Sequence, residues 1–146
     1  MKIISFAWTT DALVKGLKTE TRRDWTDDYA RQFRVGDVCK AFNKNPRCGG
    51  KEIARIQILK NPYRESIYKM TDKDEKAEGG QWDSADEFIK SWLEGGGCEN
   101  PYVVKFRLVS VGGVPYVSDI PENLLNEELD YPKPEDKNQL KLFEEG

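Results

Sequence analysis

Apolar and polar positions change over in short runs, and no single periodicity governs the chain. Lys2-Ile3-Ile4-Ser5-Phe6-Ala7 reads as a first strand. Thr9-Thr10-Asp11 supplies an N-cap, and Ala12, Leu13 and Leu17 form a short helical face that Gly16 closes. Lys18 to Asp24 alternates in character and predicts a strand or strand-like loop. Thr26-Asp27-Asp28 caps a helix running to about Gln32. Phe33 to Val38 is a loop with a tight Gly36-Asp37 turn, entering a strand that ends near Phe42. Asn43 to Gly50 is a turn-rich hairpin connection with Gly49-Gly50 at its tip. Ile53 to Leu59 alternates most clearly and is a strand, broken by Asn61-Pro62. Ser66 to Met70 is expected to add a short extended piece.

Thr71 and Asp74 have capping-box spacing, so a helix is expected from there to about Glu78, stopped by Gly79-Gly80. Ser84-Ala85-Asp86-Glu87 caps a second helix whose buried side is Phe88, Ile89, Trp92 and Leu93. Gly95-Gly96-Gly97 ends it, and Tyr102 to Val111 is a long final strand. About five strands with short helices between them, at hairpin spacing, predict a small α+β barrel over residues 1–111. Residues 112–146 carry four of the seven prolines and nine acidic residues. They read as an acidic extension, one or two helical turns long at Asn123 to Leu129 and disordered from Tyr131.

Composition narrows the chemistry. A chain of 146 residues buries one sizeable core. No run approaches the roughly 18 apolar residues of a membrane span, and the N-terminus turns polar too soon for a signal peptide, so a cytoplasmic protein is expected. The net charge of -3 is unevenly spread. Residues 1–69 hold 15 Lys and Arg against 8 Asp and Glu, and the remainder hold 8 against 18. A basic front half suits a nucleotide or nucleic-acid partner. The chain has no histidine. Its three cysteines, Cys39, Cys48 and Cys98, lack zinc spacing. Neither a metal nor a cofactor is expected, and any proton transfer falls to Lys, Glu, Asp, Thr, Tyr or Cys.

One run concentrates such groups: Gly16-Leu17-Lys18-Thr19-Glu20-Thr21-Arg22-Arg23-Asp24. It could bind an anion, read a polar base or activate a hydroxyl, or it could be a solvated turn. Lys18 has a plain alternative as the surface partner of Glu20 or Asp24, and Thr21 as a β-branched strand residue. Glu20 is read as a bystander. Trp8 and Trp25 flank the run, so either could stack on a base, although tryptophans mostly serve cores. Cys39 reads as a small buried hydrophobe and Cys48 as an exposed thiol.

The same run resembles the ASCH domain family, whose fold is PUA-like and whose motif is G-x-K-x-x-E-x-R. Here it reads Gly16-x-Lys18-x-x-Thr21-x-Arg23, with Thr in the Glu position. That form is similar to the N4-acetylcytidine amidohydrolase branch, G-x-K-T-x-T-x-R-D, which Gly16, Lys18, Thr19, Thr21, Arg23 and Asp24 match. Phe33-x-x-Gly36-Asp37 and the closing helices and strand keep the family's order. The resemblance spans about residues 2–111 but covers neither the 43–50 connection nor the tail. It implies a PUA-like mixed barrel with short flanking helices and loss of an acetyl group from the exocyclic nitrogen of a cytidine. Lys18 would be a base of lowered pKa, Thr21 the nucleophile, and Glu78 (or Glu75) the group that orients or relays protons. Arg22 and Arg23 would hold an oxyanion or phosphate. The alternatives are a non-catalytic RNA or modified-base binding module and a single-strand ribonuclease. Residues three apart on a regular strand face opposite sides, so pairing Lys18 with Thr21 requires a bend between them.

Gln139-Leu140-Lys141-Leu142-Phe143 resembles the bacterial sliding-clamp-binding peptide Q-L-[S/D]-L-F. Gln139, Leu140, Leu142 and Phe143 would be its anchors, reached through a flexible acidic leader. A short apolar stub folded on the domain is the alternative.

Overall fold

The computed structural model describes residues 1–117. Its strands are β1 (Ile3–Ser5), β2 (Glu20–Arg23), β3 (Val38–Phe42), β4 (Glu52–Ile58), β5 (Tyr63–Arg64), β6 (Tyr102–Val111) and β7 (Val114–Pro115). Four short helices join them: α1 (Thr10–Val14), α2 (Asp27–Ala30), α3 (Asp72–Ala77) and α4 (Ala85–Glu94). The sheet runs β1-β3-β4-β6-β2, with β1 parallel to β3 and the other pairs antiparallel.

The ten-residue β6 is the spine. Val103 pairs with both Arg22 and Tyr63, so β2 and β5 lie on its opposite edges. Farther along, Val111 pairs with Ala54 and Val114, which puts β4 and β7 on opposite edges too. The sheet curls into half a barrel and does not close, so the expected small α+β barrel is met as a barrel-like α+β fold with an open side. Its end strands, β1 and β2, share no ladder among the described residues. One core fills the curl, with Ile4, Phe6, Phe33, Ile56, Val104 and Phe106. A second, under α4, gathers Ile67, Met70, Trp82, Phe88 and Trp92.

Local signals place the helices. Thr26 caps α2 by accepting from the Tyr29 N–H. The Thr71–Asp74 capping box forms in both directions, 3.2 and 2.9 Å, and starts α3. Ser84 accepts the Glu87 N–H at the start of α4. Two expectations fail. Ser66–Met70 is not extended: Ser66 accepts the Tyr68 N–H and starts a 3-10 turn over Ile67–Lys69, while the extended pairing falls earlier, at β5. The sheet also continues past residue 111, where Gly112 and Gly113 take positive φ (57° and 81°) and turn the chain back as β7. Tyr116 then packs against the main core. The acidic tail from residue 118, with its expected helical turns, its expected disorder and the Gln139-to-Phe143 peptide, lies outside the described residues. Among the described residues, no helix is long and apolar enough to cross a membrane.

Candidate active site

Three elements carry the Lys18 run. Gly16 (φ 76°) ends α1, and the Leu17 and Lys18 N–H groups both reach back to the Ala12 carbonyl at 2.9 and 3.2 Å. Thr19 donates to the carbonyl of Ala77 at the end of α3 (2.8 Å), and its own carbonyl accepts from Phe106 on β6 (2.9 Å). The chain therefore turns through residues 16–19 before β2 begins at Glu20. Helix α3 and strand β2 are stitched together at this point.

All four β2 residues are buried. A half-exposed strand would alternate, so β2 is covered on both faces. Glu20 and Arg22 share one face and bond to each other, Arg22 Nη1 to Glu20 Oε1 at 2.9 Å. Thr21 and Arg23 share the other, Arg23 Nε donating to Thr21 Oγ1 at 3.1 Å. Glu20 is thus no bystander: it is 4% exposed and is half of a buried ion pair. The i, i+2 spacing of Glu20 and Arg22 was the available signal.

Glu78, the C-cap of α3, is the hub. Lys18 Nζ donates to its Oε2 at 3.1 Å and to its backbone carbonyl at 2.7 Å. Its Oε1 accepts the N–H of Arg22, 2.7 Å away, and lies 3.5 Å from that residue's Nη1. One carboxylate thus bridges the Lys18 ammonium and the peptide joining Thr21 to Arg22. Lys18, Thr21 and Glu78 are 3%, 2% and 5% exposed. Burial holds the Lys18 amine below its usual range, and Glu78 opposes that shift. Among the described residues Thr21 Oγ1 bonds to Arg23 rather than to Lys18. Lys18 and the Thr21 hydroxyl therefore have no bond in common: Glu78 ties Lys18 to the Arg22 N–H, one residue past Thr21, while Oγ1 is held by Arg23.

Arg23 spans the open seam of the sheet. Its Nη2 donates to the Ser5 carbonyl at the end of β1, 2.6 Å away, and its guanidinium lies 5.4 Å from the Phe6 ring centre. Burial lowers its pKa to about 10. Glu75, one turn before Glu78 on α3, is 3% exposed and accepts the Trp82 N–H at 3.3 Å. Burial raises its carboxyl to about 7. Glu78 makes the contact with Lys18, and Glu75 stands behind it.

The two flanking tryptophans lie elsewhere. Trp25 is 3% exposed, stacked on Phe33 at 4.5 Å and edge-on to Tyr29, so its ring belongs to the core and is not a stacking surface for a base. Trp8 is half-buried and edge-on to Trp82 in the second core. Cys39 is buried, its thiol pushed up to about 11 by burial, and Cys48 is exposed. Ser5 and Tyr29, which sequence reasoning did not single out, also line a cleft of about 520 Å³ beside Arg23.

No family model matches the chain, and no curated protein matches it. Among solved structures it is similar to the crystal structure of protein EF3133 from Enterococcus faecalis V583, described under the family DUF984. The two share 13% identity, with 76% of this chain and 77% of that one covered, at a TM-score of 0.52. At that identity the likeness shows a shared fold and nothing further.

Proposed function

We propose that the chain is an amidohydrolase on a PUA-like, ASCH-type scaffold, removing the acetyl group from N4-acetylcytidine-type nucleosides. The observation that carries this reading is the buried Lys18–Glu78 contact laid against the Thr21–Arg22 peptide. A lysine is rarely buried so completely unless its lowered pKa is used or its charge is matched.

In this reading Lys18 passes its ammonium proton to Glu78, and the amine takes the Thr21 hydroxyl proton, once Oγ1 turns from Arg23 toward it, while Oγ1 attacks the acetyl carbonyl carbon. Arg23, which donates to Oγ1 at rest, would shift to the acetyl carbonyl oxygen, where the negative charge develops. Lys18 then gives its proton to the cytosine exocyclic nitrogen as the C–N bond breaks, leaving cytidine and an acetyl ester on Thr21. Lys18 then deprotonates a water that attacks the ester carbonyl, and it returns that proton to Thr21 Oγ1 as the C–O bond breaks and acetate leaves. Glu78 holds the amine in place and keeps the proton it took from the ammonium until turnover is complete.

A second reading, a non-catalytic reader of RNA or a modified base, draws support from the 2% exposure of Thr21. Incubation with N4-acetylcytidine, and separately with single-stranded RNA, distinguishes them. The amidohydrolase reading expects cytidine and acetate from the wild type and loss of at least about 10²-fold in rate for Thr21→Ala and Lys18→Met. No acetyl loss at micromolar protein over hours overturns it. Cleavage of the RNA instead would make the chain a ribonuclease.

A further inference from the structure

The 520 Å³ cleft beside Arg23 has a chemistry of its own. Lys2 and Ser5 line it from the β1 segment, Tyr29 from α2, and Asn45 and Arg47 from the 3-10 turn Pro46–Cys48 and its cap. Each of these side chains can donate a hydrogen bond, and none of the lining residues is acidic. The Asn45 Oδ1 is already taken by the Arg47 N–H (2.8 Å), which leaves its NH₂ to donate. Lys2 donates to the neutral amide of Gln32, so its positive charge is not cancelled there. The connection supplying this wall, residues 43–51, holds Lys44, Arg47 and Lys51 and no acidic residue.

The cleft adjoins the candidate active site. The Ser5 carbonyl accepts from Arg23, and the charge of Arg23 acts on the Tyr29 phenol. Its volume lies in the range of small-ligand pockets. A concave site bordered by two cations and lined by donors attracts an oxyanion, and tetrahedral phosphate oxygens can be reached from several walls at once.

We propose that this cleft holds a phosphate group of the substrate, so that the chain acts on a nucleotide or a strand in preference to a free nucleoside. This rests on the nucleoside reading above for the identity of the base, and on the cleft alone for the phosphate. The Arg47 wall belongs to the connection that the family resemblance does not cover, so the preference is a property of this chain.

Binding by titration calorimetry at low salt tests it, with cytidine, cytidine 5′-monophosphate and a single-stranded RNA octamer as probes. The monophosphate is expected to bind at least about tenfold more tightly than cytidine, and the gain to fall steeply with salt. If RNA binds more tightly still, the phosphate is that of a strand; if RNA adds nothing, it is that of a mononucleotide. The double variant Lys2→Gln/Arg47→Gln, at two exposed positions, should lose the phosphate preference and keep cytidine binding. Arg107→Gln, an exposed position outside the cleft, should keep both. Equal affinity for cytidine and its monophosphate overturns the proposal, even where N4-acetylcytidine is hydrolysed. Equal loss in the Arg107 variant overturns it too, since it would mark diffuse charge attraction. A phosphate preference that depends on Lys2 and Arg47, found without hydrolysis of N4-acetylcytidine, upholds the cleft and sinks the amidohydrolase.

Discussion

Lys18 and Glu78 do not depend on each other equally. Among the described residues the Lys18 ammonium donates twice to Glu78, whereas Glu78 also has Arg22 3.5 Å away and the Arg22 N–H at 2.7 Å. Removing the carboxylate strands a buried cation; removing the amine leaves a carboxylate still paired. Glu78→Gln is therefore expected to cost about 3 kcal/mol and Lys18→Met appreciably less, measured by urea unfolding at pH 7. Equal losses would count against that asymmetry. Glu75 makes a pH-dependent prediction. Its carboxyl is raised to about 7, so between its unfolded pKa and 7 the folded chain binds a proton that the unfolded chain has released. Its contribution therefore weakens stability as pH rises through that window and is constant above it. Glu20 is shifted the same way, chiefly by burial, so the informative quantity is a difference. Glu75→Gln should gain on the wild type as pH goes from 5 to 8. A constant difference between the two proteins would show that Glu75 does not titrate there.

At the scale of elements, the site depends on how α1, β2 and α3 are joined. Gly16 sits at φ 76°, and a methyl group there would overlap the Tyr116 hydroxyl, which itself donates to the Lys15 carbonyl at 3.4 Å. Gly16→Ala should cost about 1–2 kcal/mol for the backbone alone, plus the displacement of Tyr116. In a Tyr116→Ala background only the backbone part should remain. A double-mutant cycle measures the difference, and strict additivity would mean that the ring does not press on the turn. Much of this layer was legible in the sequence because its signals are local. Thr26, Thr71 with Asp74, Ser84, Gly16 and Gly36 do as caps and turns what their residue types suggest. The two-residue strands β5 and β7 were not legible, since each exists only by pairing with distant β6. Of the site, the sequence nominated Lys18, Thr21, Glu78 and Glu75. It could not say which glutamate touches the lysine, because residues three apart share a helix face. Nor could it show that Glu20 is buried, which depends on α3 packing over β2.

For the whole molecule, the expected small α+β barrel is present as a barrel-like curl that stays open. Closure depends on whether the first and last strands of the path meet, and no local pattern encodes that. The tail adds a prediction from sequence alone: we propose that Gln139, Leu140, Leu142 and Phe143 dock on a bacterial sliding clamp. The full chain should then retain purified clamp in a pull-down, and Leu142→Ala/Phe143→Ala should abolish retention. Equal retention by both would remove this partner.

The Arg23 bridge between β2 and β1 has a mechanical meaning. A seam joined by a backbone ladder opens only by breaking several peptide hydrogen bonds together, whereas this one is crossed by a guanidinium on a flexible stem. Separating β1 from β2 would therefore break side-chain contacts and core packing but no strand ladder among the described residues. A ligand entering beside Ser5 would compete for the bond from Arg23 to the Ser5 carbonyl and leave the strand ladders intact.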